Sequence, residues 1–145
     1  IWPHDNSLIA AGLYRYGQTA GGHAIAEALF AAARTDPLDR LPELYCGFAR
    51  TRRGNDAPVA YPVSCSPQAW AAGAMQLLVC AMLGLRADVG SRSLVVSPAL
   101  PDWLHDVTVR DLQIHGRRGT LTVRRHGQDH HVSADGLSID VRSMD

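Results

Sequence analysis

The chain has 145 residues, a length that suits one ordinary domain. Its 14 basic and 14 acidic side chains cancel, which removes any electrostatic reason to expect nucleic acid or an anionic membrane as a partner. No apolar run approaches the roughly 18 residues that would mark a membrane-spanning helix.

The first half is rich in Ala, Leu and Gly and reads as helices. Asp5 or Asn6 can cap a first helix over about 6–16, with Gly17 as its stop. A second helix fits 19–34, where Ala24, Ile25, Ala28, Leu29, Ala31 and Ala32 follow helical spacing and Asp36-Pro37 ends it. Between about 39 and 65 lies a long stretch carrying Tyr45, Phe48 and Tyr61. Stretches beyond about 12–15 residues without regular structure are usually functional or disordered, and the aromatics favour an ordered functional loop. A third helix is expected over 68–83, with Ser66 as N-cap, Pro67 at the first helical position and Gly84 just past the end. It is apolar nearly all round, which predicts burial on every side.

After Gly90 the pattern shortens to period two. Leu94-Val95-Val96 reads as a short strand. Val107 to Ile114, Thr120 to Arg124, His131 to Ser133 and Leu137 to Val141 read as an antiparallel sheet. His130 and His131 resemble a metal pair, but neighbours in a strand face opposite ways, so they read as ordinary strand residues. Trp103 is expected to anchor the junction before the strands.

All the basic residues are arginine, and Glu27 and Glu43 are the only glutamates. Cys46, Cys65 and Cys80 are odd in number and lack the CxxC spacing, which argues against a zinc site or a disulfide framework. Reduced thiols are the expectation, with a Cys46–Cys65 bridge as the alternative, and no metal or cofactor is expected. Arg52-Arg53 reads as solvated surface. No secretory leader is visible at Ile1, and a cytoplasmic location is expected.

Three clusters at loop–helix junctions can carry chemistry. Trp2-Pro3-His4-Asp5-Asn6 offers an aromatic, an imidazole, an acid and an amide. The loop Arg40 to Phe48 offers the Glu43 carboxylate among apolar neighbours. Ser66-Pro67-Gln68-Ala69-Trp70 offers an amide and an indole. Aromatic faces and planar polar groups suit a sugar, and a carboxyl pair suits glycoside hydrolysis. Each cluster also has an ordinary reading: a helix cap, a surface acid, a core tryptophan.

In order and spacing, these motifs, together with Tyr61 to Trp70, resemble bacterial glycosidases of the glycogen-debranching, amylo-α-1,6-glucosidase-like group. The resemblance covers about 1–104 and extends more loosely to the tail. It implies a mainly α fold: the last helices of an (α/α)6 toroid over 1–91, then a small antiparallel β-sheet tail over 92–145. It also implies that the segment is the C-terminal part of an inverting glycoside hydrolase cleaving α-glucosidic bonds, inactive alone. Glu43 would be the general base, with the general acid upstream. Trp2, His4, Asp5 and Asn6 would line the sugar subsite, and Gln68 and Trp70 would support the base loop. The implied partners are an oligo- or polysaccharide and the missing N-terminal part of the same chain. The competing readings are a non-catalytic glycan-binding toroid and a sugar isomerase or epimerase using His4.

Overall fold

The computed structural model describes residues 1–49 and 57–143; Arg52 and Arg53 lie outside the described residues. Three helices and six strands are found among them: α1 (Pro3–Arg15), α2 (Thr19–Ala33), α3 (Ala69–Met82), β1 (Arg86–Asp88), β2 (Ser93–Val96), β3 (Asp106–Ile114), β4 (Arg117–His126), β5 (Asp129–Asp135) and β6 (Ile139–Val141). The chain divides into two compact units, one of 1–13 and 20–79, the other of 14–19 and 80–145.

In the first unit, α1 starts earlier than its spacing predicts because Pro3 suits the first helical position and the Trp2 carbonyl accepts from Asn6 N at 3.2 Å. Asp5 in the first turn and Arg15 in the last both complement the helix dipole. Helix α2 lies close to α1: a Cβ on Gly21 would meet Leu13 Cδ1 at 3.1 Å. Asp36 ends α2 by accepting Leu38 N at 2.9 Å. Helix α3 begins two residues after the expected Pro67 position. The Ser66–Pro67 bond is cis, and Gln68 acts as the cap, its Oε1 accepting Ala71 N at 3.1 Å. Ala32, Ala33, Leu41, Tyr45, Ala71 and Ala74 form the core of this unit, with Met75 against it.

The second unit carries both sheets. β1, β2 and β6 form one in that order, with β1–β2 antiparallel and β2–β6 parallel. All four residues of β2 are buried, Ser93 together with the apolar Leu94, Val95 and Val96, as befits the central strand of its sheet. β3, β4 and β5 form an antiparallel meander. His115 and Gly116, both at positive φ, make the two-residue turn between β3 and β4, the geometry that matches strand twist. A register shift between Val109 and Leu112 accompanies Asp111 at φ 57°. Leu121 and Val123 of β4 are fully buried. The end of α3 is a Schellman cap: Gly84 sits at φ 58°, Gly84 N donates to Ala81 O at 3.0 Å and Leu85 N to Cys80 O at 3.0 Å.

This architecture corrects the expected one. The chain is a mixed α/β assembly, not mainly α and not the end of an (α/α)6 toroid. The helices fall close to where the spacing puts them, and the stretch between α2 and α3 holds no helix among the described residues, as expected of a loop, but one of the two sheets is mixed rather than antiparallel. Complete burial of α3 also fails. Trp70 is 68% exposed, and Ala72, Gly73, Gln76 and Cys80 face solvent with it. Ala71, Ala74, Leu78 and Met82 make the buried stripe, the ordinary face of a helix packed on one side.

Candidate ligand-binding site

The first unit holds an open apolar cavity of about 560 Å³. One wall is α2, where Ala24, Ala28 and Ala32 recur every four residues and so stack along one face. Three methyl side chains in a row leave a trough that longer side chains would fill. Ile25 and Leu29 flank it. The opposite wall is the irregular chain on either side of the undescribed segment, including Tyr45, Phe48, Pro58 and Val59. Backbone pairing orders this wall: Tyr45 bridges Ala60, and Cys46 N donates to Val59 O at 2.8 Å. Tyr45 N donates to Ile1 O at 2.9 Å, which brings the start of α1 to the rim.

The lining is almost wholly apolar. No Asp, Glu, Arg or His is among the described lining residues. Asn6 is the exception that carries an amide. Its Nδ2 donates one hydrogen to Trp2 O at 2.9 Å, and the amide keeps a second N–H donor and the Oδ1 acceptor. The volume lies within the range of roughly 300–1,000 Å³ typical of small-molecule sites, which combine apolar walls with a few polar groups.

Burial, and secondarily the Asp36 charge, push the Tyr45 phenol above its usual value of 10.0. The neutral phenol is the form that folding favours, so its contribution is complete below pH 10 and is lost as pH rises through the higher folded value. Tyr45→Phe is therefore expected to flatten part of the stability loss above pH 10 in urea titrations; an unchanged alkaline slope would refute this.

The residues singled out from sequence fall into three groups. Trp2, His4, Asp5 and Trp70 come together. The His4 ring meets Trp2 edge to face, with centroids 5.3 Å apart, and Trp70 likewise at 4.9 Å. His4 Nε2 lies 3.2 Å from Asp5 Oδ1, while the buried Nδ1 has no hydrogen-bond partner. Asn6 turns to the cavity. Glu43 and Gln68 serve the backbone: Glu43 Oε2 accepts Cys65 N at 3.0 Å, Glu43 N donates to Cys65 O at 2.9 Å, and Gln68 caps α3. Sequence reasoning missed the α2 wall, because Ala24 and Ala28 read as core. The spacing of small residues beside an aromatic loop was the available signal. Cys46, Cys65 and Cys80 are free thiols.

No family model and no curated protein matches the chain.

The hydrolytic reading is withdrawn. It required a toroid, and the fold is a mixed α/β one. Glu43, its intended base, is bonded to the Cys65 backbone, and among the described residues no three His, Cys, Asp or Glu side chains converge to add a catalytic cluster. The debranching α-glucosidase identity, the inverting mechanism with Glu43 as base and the glycan-binding toroid depend on that fold and go with it.

Proposed function

We propose that the first unit is a binding module for a small, neutral, apolar molecule held between α2 and the Tyr45–Val59 wall. The carrying observation is the cavity itself: about 560 Å³, apolar walls and one amide at the rim. A charged ligand would lose its hydration there without meeting a counter-charge, which costs several kcal/mol or more. A neutral apolar ligand gains about 25 cal/mol for each Å² it withdraws from water. p-Xylene is a suitable probe. A ligand that binds only the folded state raises the melting temperature in proportion to the logarithm of its concentration once saturating. A concentration-dependent rise supports the reading; a melting temperature indifferent to p-xylene up to its solubility removes it.

A second proposed partner is a saccharide, favoured by one specific observation. Trp70 and Trp2 are partly exposed, 68% and 40%, on either side of His4. An indole face is a suitable platform for the apolar face of a sugar ring. Trp2, His4, Asp5 and Trp70 would form that contact, without bond cleavage. Maltose titration should then change tryptophan emission, and the change should vanish in Trp70→Ala; emission unmoved in the wild type eliminates this partner.

A further inference from the structure

In the second unit, the connection from β2 to β3, residues 97–105, is tied down by its own backbone N–H groups. Ser97 N donates to Leu83 O at 3.2 Å and Ala99 N to Met82 O at 2.8 Å, both carbonyls at the end of α3. Leu100 N has a different kind of acceptor: it donates to the ring Nε2 of His130 on β5 at 3.0 Å. Leu100 is 2% exposed, so its N–H has no water to fall back on. A ring nitrogen accepts only through its lone pair, which puts the proton of the neutral imidazole on Nδ1. A second proton, on Nε2, would set N–H against N–H and leave the Leu100 donor unsatisfied. Carbonyl acceptors do not take up protons near neutral pH, whereas an imidazole does so between about pH 5 and 8. The charged groups around the ring do not offset this. Arg125 on β4 is the cross-strand partner of His130, and its mostly buried guanidinium opposes a second positive charge. Asp102, within the connection, is bonded to Arg125 and exposed to water. His105 takes part through its carbonyl, which accepts Arg125 N at 2.8 Å. Asp129 and His131 flank His130 on β5, where neighbours point to the opposite face.

We propose that His130 makes this connection an acid-released strap: the neutral ring holds Leu100 to β5, and protonation of Nε2 frees the middle of the 97–105 segment from the meander. The Leu100 bond is complete above about pH 7 and is lost as pH falls toward about 5. The Ser97 and Ala99 bonds end on carbonyls and persist, so the release is local.

The test is amide hydrogen exchange read by NMR on the 145-residue chain, normalised for the intrinsic pH dependence of exchange. Between about pH 7.5 and about pH 5, protection of Leu100 is expected to fall by about tenfold or more, the effect of losing one acceptor for a buried donor, while Ala99 stays within about twofold. In His130→Gln the acceptor is an amide oxygen that does not titrate, and Leu100 protection should then be the same at both pH values. Equal losses at Leu100 and Ala99, no loss at either, or a Leu100 loss that survives in His130→Gln overturns the proposal. Should His130→Gln not fold, the wild-type ring still decides. Long-range 1H–15N spectra at about pH 7.5 should show the His130 proton on Nδ1 and none on Nε2, and a proton on Nε2 overturns the proposal.

Discussion

Gly84→Ala is expected to lower the melting temperature by roughly 5–15 °C. Two independent penalties meet at this position. The backbone sits at φ 58°, where an L side chain costs about 1–2 kcal/mol. The added Cβ would also meet Ser97 O at 2.2 Å and Ser97 Cβ at 2.9 Å, far inside contact distance. Neither neighbour can yield cheaply, because Ser97 N donates to Leu83 O at 3.2 Å and holds that segment against the end of α3. Overpacking of this kind typically costs a further 1–3 kcal/mol. A total of about 2–5 kcal/mol is a large share of the 5–15 kcal/mol that holds an ordinary domain together. Thermal unfolding followed by circular dichroism reads the result, and a melting temperature within about 2 °C of the wild type would show that the cap relaxes in a way this geometry forbids.

Ala28→Trp is expected to abolish p-xylene binding while leaving the fold intact. Ala28 is exposed on α2 and lines the cavity midway between Ala24 and Ala32. An indole there projects into space now empty, so it displaces the ligand without cutting into the buried Ala26, Leu29 and Ala33 beneath. Surface substitutions of this type usually change stability by about 0.5 kcal/mol or less, and filling an apolar trough adds burial of its own. Ala31→Trp, on the same helix and exposed but off the lining, is the control. The account expects the p-xylene-induced rise in melting temperature to survive in Ala31→Trp and to disappear in Ala28→Trp. Equal responses in the two variants would place the ligand elsewhere.

Local structure was largely legible in the sequence, and its arrangement was not. Helix α2 begins at Thr19, as its apolar spacing predicts, and the alternation of β3 and β4 marks both strands. These signals are short-ranged, and periodicity of side chains is sufficient to read them. What failed was long-ranged. The parallel pairing of Leu94 with Ile139 joins distant segments and leaves no periodic trace in either. The apolar surround of α3 suggested neighbours on all sides, yet Ala72 and Gly73 are exposed beside Trp70 and Gln76; small apolar residues such as alanine and glycine stand in water at little cost, so they do not mark a buried face. The motif-rich segments misled for a related reason. Trp2-Pro3-His4-Asp5-Asn6 starts a helix, Glu43 pins the chain to Cys65, and Gln68 caps α3. Residue types that serve catalysis serve backbone hydrogen bonds equally well, and only geometry separates the two uses. The α2 wall was invisible for the opposite reason: a row of alanines resembles core packing until the facing wall stands apart from it.

The most direct test of the binding proposal is to locate the ligand. Intermolecular NOEs should be recorded on the 145-residue chain with p-xylene present at saturating concentration. The account predicts NOEs from the ligand protons to the methyl groups of Ile25, Ala28 and Val59. NOEs confined to other residues, or none at saturation, would contradict it.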